Sequence, residues 1–209
     1  MRRFNTFRHV AVAIASLLLI LWSPSASANL IVNGSYESPF DEVHWTGNYI
    51  TAGSSAGYHP NTATDGSYIA GFGGGATPTP PPGYISQEFP TSPGQQYDLE
   101  FDYGVYGSPV AQSMQVSVVG QSTVLDVVVS HTSNIGHTTP DAIHSWQTQT
   151  FVFTADSALS TLRFFDVSTS GLSTDSALDR ISIAAVPEPS TALLIGLGLS
   201  ALAVRREKR

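Results

Sequence analysis

Apolar and polar positions alternate along this chain at a period of two. In the clearest case Tyr97, Leu99, Phe101 and Tyr103 interleave with Asp98, Glu100 and Asp102. This spacing puts four large apolar side chains on one face of a strand and three carboxylates on the other. Shorter runs rich in Val, Ile, Phe, Tyr and Thr recur at Leu30 to Val32, Tyr68 to Phe72, Tyr84 to Phe89, Met114 to Val119, Val124 to Ser130, Gln147 to Thr154, Thr161 to Asp166 and Ala177 to Ile183. Gly, Pro, Ser and Asn clusters separate them, and no helical period is sustained. Roughly eight to ten strands without intervening helices predict an all-β fold, a jelly-roll β-sandwich of two antiparallel sheets. Gly71 to Gly83, with three consecutive glycines and four prolines, cannot pair in a sheet and is expected as a surface loop, as is the polar stretch Ser130 to Ser145.

Both ends break this rhythm. Arg2, Arg3 and Arg8 precede an apolar stretch from Val10 to Leu21, and Ala26-Ser27-Ala28 supplies the small residues a signal peptidase requires. Residues 1–28 are therefore expected as a signal peptide with a short helix, cleaved between Ala28 and Asn29; a single uncleaved anchor is the alternative. At the other end Pro187-Glu188-Pro189 is followed by an apolar run from Thr191 to Val204 and by Arg205-Arg206-Glu207-Lys208-Arg209. That run is shorter than the ~20 residues a helix needs to cross a bilayer core, so it predicts a short apolar helix that holds the membrane only transiently. The basic tail would stay cytoplasmic and the body outside.

These last residues resemble the PEP-CTERM sorting signal of Gram-negative bacteria that make extracellular polysaccharide. The resemblance implies recognition of Pro187, Glu188 and Pro189 by an exosortase-type transpeptidase, and delivery to the cell envelope, cell surface or extracellular matrix. A plain tail anchor is the competing reading. Either way residues 187–209 are an address, and residues 29–186 remain as one domain.

Taking the addresses away changes the charge. Of the basic residues only Arg163 and Arg180 fall between 29 and 186, against fourteen Asp and Glu, a net charge of −12. Such a body repels nucleic-acid phosphates and anionic lipid headgroups, so no nucleic-acid partner is expected; neutral glycans or cations suit it better. With no cysteine, an exported chain has no disulfide framework, and stability rests on packing or a metal that is not Cys-ligated.

Four segments then fall into a familiar order. They are Asn29-Leu30-Ile31-Val32-Asn33-Gly34-Ser35-Tyr36-Glu37, then Asp65-Gly66-Ser67-Tyr68-Ile69-Ala70, then Ile85 to Phe101, and last Trp146-Gln147-Thr148 with Ala177-Leu178-Asp179-Arg180-Ile181-Ser182-Ile183. Together they resemble the galactose-binding-like jelly rolls, and most closely the bacterial choice-of-anchor C proteins related to plant cell-wall proteins of unnamed function. The resemblance implies a non-catalytic sandwich that associates with polysaccharide. It also implies a structural calcium joining first strand to last, with Glu37, Asp65 and Asp179 as matching donors and backbone carbonyls completing a shell of six to eight oxygens. Solvated carboxylates, and a turn begun by Asp65-Gly66, are the alternative.

Sugar binding calls for aromatic faces and a few hydrogen-bonding groups in a cleft. Trp45, Tyr49, Tyr58 and Tyr106 lie near Gly, Ser and Pro and are the expected platform; Tyr103 and Trp146 are expected in the core. Catalysis is poorly served. Gly53-Ser54-Ser55-Ala56-Gly57 matches a nucleophile elbow, but Tyr58-His59-Pro60 follows where a helix must start. Asp98, Glu100 and Asp102 are spaced as glycosidase carboxylates, yet a solvated face cannot raise one carboxyl for acid work. His131, His137 and His144 fit no zinc-binding pattern. The expected function is a secreted, envelope-sorted, non-catalytic module that associates with extracellular polysaccharide or biofilm matrix. The alternatives are a structural surface protein that binds no glycan and, last, a hydrolase of glycans or esters.

Overall fold

The period-two alternation is realised as strands throughout the described part of the chain. The computed structural model describes residues 28–37, 44–48, 50–53, 63–72, 83–107, 109–133, 145–169 and 174–187. All but the last of these residues fall in one compact unit, Ala28–Val186. Both terminal helices expected from the sequence lie outside the described residues.

Ten strands follow in order: β1 (Thr46–Asn48), β2 (Ile50–Gly53), β3 (Tyr68–Phe72), β4 (Tyr84–Pro90), β5 (Gln96–Gly107), β6 (Ala111–Val119), β7 (Thr123–Thr132), β8 (Ser145–Thr154), β9 (Leu159–Asp166) and β10 (Thr174–Ala185). They form two five-stranded sheets, sheet A in the order β1-β4-β9-β6-β7 and sheet B in the order β2-β3-β10-β5-β8. Every pairing is antiparallel. The jelly-roll sandwich expected from the sequence is the fold observed. β1 and β2 carried no readable apolar pattern, and Leu30 to Val32 is not a strand. That segment is tied to the sheets by side-chain and single backbone bonds instead of a ladder.

Alternation decides what is inside. Tyr97, Leu99, Phe101, Tyr103 and Val105 of β5 are buried, and they meet Met114, Val116 and Val118 of β6 and Leu162 and Phe164 of β9 in one core. Phe101 of sheet B and Phe164 of sheet A touch edge to face with ring centroids 5.0 Å apart. This geometry suits the aromatic quadrupole and adds to the ~1.5–3 kcal/mol gained by burying each large apolar side chain. Tyr103 is in the core as expected.

The start of the body closes the sandwich. Leu30 N–H donates to the Ile183 carbonyl on β10 at 2.8 Å. Asn29 Oδ1 accepts from the N–H groups of Ile31 and Ile183, both at 3.0 Å. One residue later the contact switches sheets. The buried Gln87 amide of β4 accepts from Val32 N–H at 2.8 Å and donates to the Val32 carbonyl at 3.0 Å. A side-chain amide thus plays the part of a neighbouring strand's peptide group and satisfies backbone groups that would otherwise be costly.

Candidate functional site

Residues directly opposite one another in a sheet share a face. On the outer face of sheet B, β5 therefore presents Asp98, Glu100, Asp102, Gly104 and Tyr106. Thr148 and Trp146 of β8 stand opposite Asp102 and Gly104. Asp179, Ala177 and Asp175 of β10 stand opposite Asp102, Gly104 and Tyr106.

A bulge shapes this face. Between Asp179 and Ser182 β10 carries one residue more than β5, and Arg180 adopts φ 50° there, a left-handed conformation that costs a non-glycine residue of order 1 kcal/mol. The bulge turns Arg180 to the outer face beside Asp179. Its Nε and Nη2 donate to the two oxygens of Asp102 at 2.9 and 3.0 Å, and Nη1 donates to Glu100 Oε1 at 2.7 Å. The Thr148 hydroxyl donates to Asp102 Oδ1 at 2.6 Å. Asp102 is only 3% exposed. Burial favours its neutral form, but the Arg180 guanidinium and the Thr148 and Thr64 hydroxyls outweigh burial and hold the carboxyl below its ordinary value. Asp102 and Glu100 in turn push the Arg180 pKa up. The carboxylate row expected to be plainly solvated is thus a fixed polar network at its centre.

Beside it lies an aromatic ring on a floor of small residues. The Trp146 indole rests directly on Gly104, where an added Cβ would come within 2.6 Å of the ring. Ile69, Ala177 and Ala63 complete the patch under it. The ring is half-buried, not interior. This corrects the expectation of a core tryptophan: its partner strand offers a glycine on the outward side, so the ring lies flat on the sheet. Trp45 is corrected in the opposite direction. It is 1% exposed, its Nε1–H donates to the Asn33 carbonyl at 3.0 Å, and its ring packs against Tyr36 at 5.8 Å; it cannot stack on a sugar. Tyr106 is half-buried in the row beyond Trp146. Tyr49 and Tyr58 lie outside the described residues.

The three expected calcium donors meet at one turn. Asp179, 0% exposed, takes Thr64 N–H at 2.6 Å, Asp65 N–H at 2.9 Å and the Thr64 hydroxyl at 3.0 Å on Oδ2, and Arg180 N–H at 2.7 Å on Oδ1. Glu37 Oε1 takes Ser67 N–H at 2.5 Å and Tyr68 N–H at 2.7 Å. The Ser35 hydroxyl donates to Asp65 Oδ2 at 2.5 Å. Gly66 has φ +74°, and a Cβ there would collide with the Glu37 carboxyl, so only glycine serves. Burial pushes the Asp179 carboxyl up to about 6, against the pull of the Asp65, Arg180 and Thr64 donors. The donors aimed at these oxygens are N–H and O–H groups. Among the described residues no three His, Cys, Asp or Glu side chains are grouped to hold a metal ion. The arrangement fits a hydrogen-bonded clasp better than an oxygen cage.

Ala28 and Asn29 are exposed, as is Pro187; Glu188 and Pro189 lie outside the described residues. His131 Nε2 is 2.9 Å from Ser145 Oγ, and His137 and His144 lie outside the described residues. Arg163, on the outer face of sheet A, stacks over Tyr84 at 5.0 Å and Phe165 at 4.9 Å. Neither cation of the body is left as an open, unsupported charge.

Residues 185–209 match the PEP-CTERM protein-sorting motif. No curated protein sequence matches the chain. Among solved structures it is similar to a family 16 carbohydrate-binding module, with 17% identity over 75% of this chain and 99% of that one and a TM-score of 0.48. It is also similar to TmCBM61 in complex with beta-1,4-galactotriose, with 14% identity over 77% and 100% and a TM-score of 0.49. A third likeness is the CBM22-1 xylan-binding domain from Paenibacillus barcinonensis Xyn10C, with 13% identity over 79% and 99% and a TM-score of 0.48. The C-terminal match marks an exported, envelope-sorted protein.

Proposed function

We propose that the body is a non-catalytic module that holds a neutral polysaccharide of the extracellular matrix against the outer face of sheet B. The observation that carries this reading is the Trp146 ring held on Gly104 beside the Arg180, Asp102, Glu100 and Thr148 network. A pyranose ring needs a flat apolar surface for its C–H face and pre-positioned polar groups for its hydroxyls. This face offers both. An uncharged chain suits it, because the Arg180 charge is already matched by two carboxylates and the body as a whole is strongly acidic.

The same geometry argues against hydrolysis. Asp102 is held ionised by Arg180, and Asp179, whose pKa burial raises, is enclosed and spends its oxygens on the turn at Thr64 and Asp65. Neither can trade a proton with a glycosidic oxygen.

Affinity electrophoresis of residues 29–186 in gels of neutral and acidic polysaccharides tests the reading. Retardation is expected in a neutral gel, with Trp146→Ala weakening it about tenfold, the loss of roughly 1.4 kcal/mol of stacking. Free migration in every gel would refute glycan binding. A protein that still co-fractionates with matrix would then be a structural surface protein, a role for which the edge strand β7, with Val128 61% exposed, offers a contact.

A calcium ion on Glu37 and Asp65 would add to the clasp. A melting midpoint higher in calcium than in chelator assigns that ion; equal midpoints leave the tie to hydrogen bonds alone.

A further inference from the structure

Sheet B runs up to the residue that precedes the sorting tripeptide. β10 pairs with β5 as far as Ala185, opposite Tyr97. Val186 continues the pairing: its N–H donates to the Gln96 carbonyl at 2.9 Å, and its own carbonyl accepts from Gln95 Nε2 at 2.7 Å. Pro187, the next residue, is exposed. No spacer separates the folded body from Pro187-Glu188-Pro189.

The Gln95 side chain is held ready for this contact. Its backbone is fixed on both sides, with N–H donating to the Ser92 carbonyl at 3.1 Å and its carbonyl accepting from Ala155 N–H at 3.0 Å. Its amide donates a second bond to the Gln96 carbonyl at 2.9 Å. One side chain thus fastens the last residue of the body to the turn before β5.

A transpeptidase takes its substrate as several extended residues laid in a cleft, and a peptide group already hydrogen-bonded in its own sheet cannot enter one without opening first. The reach is also short, since the steps from Val186 to Thr191, where the apolar run begins, span at most about 18 Å when fully extended. We propose that Gln95 and Val186 form a latch that withholds the sorting tripeptide from its processing enzyme, so that local opening of this last pairing sets the rate of sorting. The inference stands on the sorting motif and does not depend on glycan binding.

The test is pulse–chase of the full chain in a bacterium that carries the enzyme, following conversion of precursor to processed protein. Gln95→Ala removes one hydrogen bond to Val186 and is expected to speed conversion about threefold to tenfold, the range set by the net worth of such a bond. Five Gly and Ser residues inserted between Val186 and Pro187 leave the body untouched and are expected to speed conversion at least as much. In the inserted chain Gln95→Ala should then have no further effect. Protease resistance of the body confirms that each variant is folded. Conversion at the original rate or slower, in either variant, overturns the latch.

Discussion

Asp179 is a carboxylate whose charge is met by backbone and hydroxyl donors, not by a guanidinium. Its pKa of about 6 in the folded chain, against an ordinary 3.8, makes stability depend on pH in a defined direction. Below the ordinary value both folded and unfolded chains hold the proton. Between it and the folded value only the unfolded chain has released it, so stability falls as pH rises through that window, by about 3 kcal/mol in all, and is flat above. Asp102 works in the opposite sense, and its contribution is lost only as pH falls below the ordinary carboxylate value. Denaturant melts at pH 4 and pH 7 should therefore show a fall in stability that Asp179→Asn removes; equal falls in both proteins would contradict the assignment. At this scale the sequence was half legible. The grouping of Glu37, Asp65 and Asp179 came from the family resemblance and not from any local signal; in the structure Glu37 and Asp179 both accept from amides of the turn around Asp65 and Gly66. These turn amides lie more than a hundred residues from Asp179 and 30 and 31 residues from Glu37, separations that leave no local trace in the sequence. The two tryptophans were misplaced because ring exposure depends on the opposite residue: Gly104 for Trp146, and Tyr36 with the Asn33 carbonyl for Trp45.

At the scale of elements, the bulge in β10 does the most work. It brings two consecutive residues to one face, and so lets Asp179 hold the turn while Arg180 neutralises Asp102. Arg180→Gln would leave Asp102 buried without its cation. The expected loss is about 2 kcal/mol, below the full cost of breaking an enclosed pair because Arg180 is partly exposed. Adding Asp102→Asn should restore most of it, as chemical denaturation can show; no recovery would mean that the bulge backbone, not the ion pair, carries the loss. Strands were readable wherever one face is buried and the other wet, which is why β5 stood out in the sequence. β1 and β2 were not, since Thr46-Gly47-Asn48 is exposed throughout and has no alternation to read. The bulge is equally silent, because an inserted residue shows only against its partner strand.

Taken as a whole molecule, the sandwich is closed by parts that are far apart in the chain. Sheet B has β10, its last strand, at its centre, between β3 and β5, and the first residues of the body bond to that same strand. Export delivers the chain amino end first. The middle of the sheet is then missing until residues 174–185 have crossed, and β3 and β5 wait without the neighbour that joins them. Sheet A contains no part of β10, so its strands have all their partners without it. Those of sheet B do not: β3 and β5 are joined only through residues 174–185. Strand order thus makes the segment next to the sorting motif the keystone of one sheet and leaves the other independent of it.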